Sequence, residues 1–203
     1  MSPGGLLSGA FAFAAGCGSS SSSGSGSGSG SASSSGSNAP NPKAPETSPA
    51  GDIPDNQAYV AYSPPGSGVS VRVPEGWSRS TASGATTFTD KLNSIAIETA
   101  PAKAATTAAA ARRTDLPKLA QSVTGFKPGA VTTVQRKAGP AVRLTYLGTA
   151  KADPVTGKTR TNAVERYLFF HNGKALTLTL SGPKGADNVD PWRIVTDSVR
   201  WTA

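Results

Sequence analysis

The chain has 203 residues, with 20 lysines and arginines against 12 aspartates and glutamates, for a formal net charge of +8 at pH 7. One histidine and one cysteine in the whole chain leave too few side chains for a zinc site built on His and Cys, and any His-dependent nucleophilic triad would have to use the single histidine, His171.

The first element is a run of about ten apolar and small residues, Leu6 to Gly16, ending at the single cysteine, Cys17. It is too short for a hydrocarbon core that needs roughly 20 helical residues. Its length and its small residues suit the apolar region and cleavage point of a signal peptide. Ala14-Ala15-Gly16-Cys17 resembles the bacterial lipobox, which implies that the thiol of Cys17 is acylated and that residues 1–17 are the lipoprotein signal segment. Two features depart from that pattern: Ala14 stands where leucine is usual, and no lysine or arginine precedes Lys43. The true translation start is therefore expected upstream. Acylation would account for an unpaired thiol in an exported protein, and several acyl chains, at about 0.8 kcal/mol per buried methylene, anchor a protein stably.

Residues 18–56 change from serine and glycine to a proline-rich stretch, Ala39-Pro40-Asn41-Pro42-Lys43-Ala44-Pro45 and beyond. With almost no large apolar side chains to offset the entropy of ordering, this segment is expected to be a disordered tether. A coil of about 40 residues spans roughly 35 Å, and at full extension about 140 Å.

Residues 57–203 have the length of one domain. Ala58 to Tyr62 is a short β run, Ser63 to Gly68 a breaker, and Val69-Ser70-Val71-Arg72-Val73 alternates as a half-buried strand that stops at the turn Pro74-Glu75-Gly76-Trp77. Thr86 to Asp90 and Ile95 to Thr99 form the next pair across Lys91 to Ser94. Ala102 to Val123 is alanine-rich with Leu116, Leu119 and Val123 at helical spacing. Thr106-Thr107 and Pro117 divide it into two expected helical pieces, the second capped by Thr114. Strands return at Val131 to Arg136 and Ala141 to Leu147, followed by a polar loop, Ala150 to Thr161. Two further β runs, Asn162 to Phe170 and Lys174 to Leu180, flank Asn172-Gly173, a strong hairpin signal because a type I′ turn needs positive φ at both central residues. Asp187 to Val199 closes the chain as an amphipathic helix, with Asp190 as the expected N-cap and Pro191 in the first turn. The order is that of an α+β domain, an antiparallel sheet flanked by helices.

Several of these segments resemble the PsbP-like fold family, which includes the LpqN-type lipoproteins of actinobacteria. They are Gly68 to Trp77, Gly139 to Leu144, Tyr167 to Phe170, Asn172 to Thr179 and Ile194 to Val199. The resemblance covers nearly all of the domain and lies in turns and core positions. It implies an α/β/α sandwich and a binding or accessory role more often than an enzymatic one, and it carries over no functional site.

The residues themselves offer little catalytic equipment. His171 flanks a hairpin turn. The acids Asp90, Glu98, Asp115, Asp153 and Glu165 lack metal-ligand spacing, and Asp187-Asn188-Val189-Asp190 fits a helix cap better than a calcium loop. No glycine-rich stretch has phosphate-binding spacing. No catalytic residue, cofactor or metal site is expected. Trp77 and Trp192 read as core or cap residues, and Trp201 as the better contact residue. Local basic clusters at Arg112-Arg113, at Arg136-Lys137 and in the loop with Lys151, Lys158 and Arg160 are the candidate contacts to an anionic partner. For an exported domain without a nucleic-acid motif, that partner would be an envelope polymer, an acidic lipid or an acidic protein, although positive charge also serves solubility. The expectation is a monomeric, lipid-anchored, extracytoplasmic binding or accessory module of the cell envelope. The alternative is a small-ligand carrier with a cleft between sheet and helix.

Overall fold

A computed structural model describes residues 50–153 and 155–202. Cys17, the apolar run before it and the tether through residue 49 lie outside the described residues. Among the described residues no helix is long and apolar enough to cross a membrane.

Among the described residues, two antiparallel sheets and two helices make the fold. β1 (Tyr59–Tyr62), β2 (Val69–Pro74) and β10 (Arg200–Trp201) form a small sheet with β2 in the middle. The remaining strands are β3 (Ser78–Ala82), β4 (Ala85–Asp90), β5 (Asn93–Pro101), β6 (Lys127–Arg136), β7 (Gly139–Thr149), β8 (Thr161–His171) and β9 (Lys174–Pro183). They pair in the order β3-β4-β5-β9-β8-β7-β6. Helix α1 (Ala108–Ser122) lies between β5 and β6 in the chain, and α2 (Val189–Asp197) between β9 and β10.

The period-2 patterns decide what is buried. Leu176, Leu178 and Leu180 of β9 all face inward, where they pair across β5 with Thr99, Ile97 and Ile95. Val69, Val71 and Val73 of β2 close the same core from the small sheet, and Trp192, Val195 and Val199 close it from α2 and the residues after it. A second, smaller core lies on the opposite face of the large sheet, where Ala111 of α1 meets Val131, Val142 and Leu144. The fully buried methyl of Ala111 lets helix and sheet approach closely. The β8–β9 hairpin turns at Asn172 (φ 44°) and Gly173 (φ 78°), the pair of positive φ values that the Asn-Gly sequence signals.

The expectations for both helices are corrected, and one strand was not anticipated. The alanine-rich segment is one helix, not two. Thr107 is its N-cap, with its hydroxyl accepting from the Ala110 amide at 3.1 Å. Thr114 lies inside the helix and donates back to the Ala110 carbonyl at 2.9 Å. Pro117 is accommodated in the helix interior, where it removes one backbone hydrogen bond. Leu116 and Leu119, on either side of it, pack against the second core and hold the helix together. The closing helix starts at Val189, and Asn188, not Asp190, occupies its N-cap position. Asp190 instead pairs with Arg193 at 2.9 Å on the exposed side. Ser78–Ala82 is a strand with no hydrophobic pattern. All five residues are exposed, and pairing with β4 along its whole length fixes it.

The folded unit also reaches further back than residue 57. Ile53 is buried in the main core. Its amide donates to Asn188 Oδ1 at 2.8 Å, while Asn188 Nδ2 donates to the Gly51 carbonyl and to Asn93 Oδ1. Asn93 Nδ2 also donates to the Gly51 carbonyl, at 2.9 Å. This buried amide network ties the segment before β1 to β5 and to the start of α2. Gly182 makes room for it: a Cβ there would lie 2.5 Å from Asn93 Oδ1 and 2.8 Å from Asn188 Nδ2.

Candidate functional site

Alternation along β2 turns Val69, Val71 and Val73 into the core and Ser70 and Arg72 outward. Arg200 of β10 pairs with Ser70, and Ala61 of β1 pairs with Arg72, so all four share the outer face of the small sheet. The far half of α2 and the β6–β7 turn rise beside this face and enclose an open cleft of about 690 Å³. Four cations line it, Arg72, Lys137, Arg193 and Arg200, against one acid, Asp197.

Most of that positive charge is free. Asp197 lies 3.9 Å from Arg136 Nε, outside the lining, and Arg193 pairs with Asp190. Among the described residues neither Arg72, Lys137 nor Arg200 forms an ion pair. Arg200 Nη1 donates to the carbonyls of Asp197 (3.2 Å) and Val199 (3.0 Å), placing a cation just past the end of α2. There it also meets the negative end of the helix dipole. The wall is held rigidly: the Arg72 amide donates to Ser198 Oγ at 2.7 Å, and Ser198 Oγ donates to the Val195 carbonyl at 2.6 Å. A cleft with excess guanidinium and ammonium groups on a fixed backbone suits an anionic ligand. It offers no nucleophile–base pair.

On the other side of α2, facing β6–β8, the charged groups lie against protein partners. Arg136 Nη2 donates to the Tyr167 hydroxyl at 2.9 Å, and Arg136 Nε donates to Thr196 Oγ1 at 3.0 Å. Tyr167 donates in turn to Glu165 Oε2 at 2.5 Å, and Glu165 Oε1 lies 3.5 Å from Arg143 Nη1. Burial, reinforced by the Glu165 carboxylate, pushes the Tyr167 hydroxyl above its ordinary value. Arg136 thus fastens α2 to the large sheet.

The seven cations expected to contact an anionic partner do not form one patch. Lys137 alone lines the basic cleft, while its neighbour Arg136 is engaged internally. Arg112 donates to the Val131 carbonyl from α1, and Arg113 is exposed on the same helix. Lys151, Lys158 and Arg160 lie in the loop after β7, at the opposite end of that strand from Lys137. For a strand of 11 residues that is about 33 Å away. Arg72, Arg193 and Arg200 escaped the sequence reading because none has a basic neighbour in the chain. The outward phase of Arg72 and Arg200 beside buried valines was the available signal.

His171 is exposed and stacks on Trp201, with centroids 5.3 Å apart and planes 20° apart. Trp192 is in the main core, and Trp77 packs against it half-buried. Among the described residues no group of three or more His, Cys, Asp or Glu is arranged to hold a metal ion.

No protein-family model and no curated protein matches this chain. Solved structures do. The cyanobacterial PsbP of Synechocystis sp. PCC 6803 is 14% identical, with a TM-score of 0.51, over 71% of this chain and 93% of that one. The fold is PsbP-like. A protein of Bacteroides thetaiotaomicron superposes with a TM-score of 0.48 at 13% identity, over 70% of this chain and only 48% of its own. LpqN of Mycobacterium tuberculosis, described as involved in cell envelope biogenesis, gives 0.43 at 16% identity over 72% of this chain and 91% of its own. At these identities the PsbP-like likeness is one of fold. The basic cleft is described from this chain's own residues.

Proposed function

We propose that this protein is a non-catalytic binding or accessory module of the cell envelope, held at the membrane through an acylated Cys17. The module engages an anionic envelope component with the cleft between the small sheet and α2. The observation that carries this reading is the cleft's lining of four cations against one acid, with Arg72, Lys137 and Arg200 outside any ion pair among the described residues. The lipobox-like run, the tether behind it and the PsbP-like fold support the placement and the class of role.

Two experiments test it. Metabolic labelling with a fatty-acid analogue is expected to mark the wild-type chain and to be abolished by Cys17→Ser; labelling that persists removes the anchor from the proposal. The Cys17→Ser chain, freed of acyl groups, is expected to bind envelope fractions with an affinity that falls steeply from about 0.1 M to about 1 M salt, as the screening length shrinks from ~10 Å to ~3 Å. Salt-independent binding removes the charge-driven site.

A further inference from the structure

The second cleft, of about 260 Å³ between α2 and strands β6–β8, has a different chemistry. Its floor is the ion-paired row on the large sheet, and its walls are mainly apolar: Pro183, Ala186, Val189 and Trp192. Two features of this cleft are unfinished. Arg143 Nε is buried and has no hydrogen-bond partner among the described residues. The Arg143 guanidinium meets Glu165 only at 3.5 Å, because that carboxylate is drawn to the Tyr167 hydroxyl at 2.5 Å. At the rim, Val189 is 72% exposed, a large apolar side chain with little to pack against.

The Arg143 side chain is 32% exposed, so its outer nitrogens, held only loosely by Glu165 at 3.5 Å, have donor capacity left for an acceptor that enters the cleft. Arginine presents donors in a planar fork that matches a carboxylate edge-on. An apolar body lying beside Val189, Pro183 and Trp192 would bury surface that is now wet. We infer that this cleft is a small-molecule site for a monocarboxylate with a flat apolar body, with its carboxylate on Arg143 and its body between the sheet and the start of α2. It is separate from the basic cleft in lining and in ligand, and Arg193 is the one residue common to both rims.

The test uses the full chain and three probes: phenylacetate, its neutral analogue phenylacetamide, and acetate, which lacks the body. The readout is the indole N–H resonance of Trp192, assigned by its absence in Trp192→Phe. Phenylacetate should shift it saturably with a Kd of about millimolar, as fits a ligand of so few atoms. Phenylacetamide and acetate should each bind at least about tenfold more weakly. Arg143→Lys, which keeps the charge and loses the fork, should weaken phenylacetate about tenfold, while Lys103→Gln, distant in sequence and exposed, should leave it unchanged. Equal binding of acid and amide, or no saturable shift with phenylacetate, overturns the proposal. The acid–amide comparison on the wild-type chain decides the matter even where Arg143→Lys fails to fold. A negative result here leaves salt-dependent binding at the basic cleft untouched, so the two sites fail separately.

Discussion

The two sides of α2 carry the same residue types and use them in opposite ways. Facing β6–β8, Arg136 is shared among Tyr167, Thr196 and Asp197 and holds α2 to the large sheet, while Arg143 faces Glu165 at 3.5 Å. Facing the small sheet, Arg72 and Arg200 stand on an outer face with no carboxylate of their own, so their charge is available to a partner. A cation's role is thus set by what the topology places opposite it. Adjacent positions in the chain can fall on different sides of that division, as Arg136 and Lys137 do.

Substitutions should separate the two regions. The largest expected effect is on the bonded side. Asn188→Ala orphans the Ile53 amide and breaks the amide network, which should cost about 3 kcal/mol in chemical denaturation. Arg136→Ala removes the donor to the Tyr167 hydroxyl and to Thr196 and the ionic partner of Asp197, at about 2 kcal/mol, while leaving the salt dependence of anion binding largely in place. If Arg136→Ala abolished binding without loss of stability, the division proposed here would be wrong.

Alkaline pH probes the same network with a defined sign. The folded-state value for Tyr167 is raised above 10.0 by burial and then by Glu165, so its contribution to stability is fully present below pH 10.0. It is lost as pH rises through the folded value. Tyr146 is raised for the same first reason, burial, and adds to the effect. Tyr167→Phe should therefore lower stability at neutral pH and flatten its decline above pH 10.0 in thermal melts. The smallest stability effect belongs to the free side: Arg72→Gln with Arg200→Gln should change stability by no more than about 1 kcal/mol, since both side chains are exposed, neither forms an ion pair among the described residues, and Arg200 gives up only its contacts at the end of α2.

What the sequence made legible was local. The Asn172-Gly173 hairpin and the valine alternation of β2 depend on neighbours two or three residues away, and both stand as read. The single helix α1 was not legible, because Pro117 and Thr106-Thr107 speak against continuity while the packing of Leu116 and Leu119 on a distant sheet restores it. β3 was invisible for the opposite reason: Ser78-Arg79-Ser80-Thr81-Ala82 has no apolar phase, and only backbone pairing with β4 makes it a strand. The burial of Ile53 depends on an asparagine 135 residues later. The basic cleft draws its cations from β2, the β6–β7 turn, α2 and β10, so no window of sequence contained it, whereas the clusters that did stand out are spread over α1 and the two ends of β7.

Binding of the Cys17→Ser chain to envelope fractions across a salt series, with and without Arg72→Gln, Lys137→Gln and Arg200→Gln together, tests the central claim most directly. The proposal predicts that the triple variant keeps its thermal stability, loses at least about tenfold in affinity at about 0.1 M salt, and loses most of the salt dependence. Retention of wild-type affinity and salt dependence in a folded triple variant would contradict it.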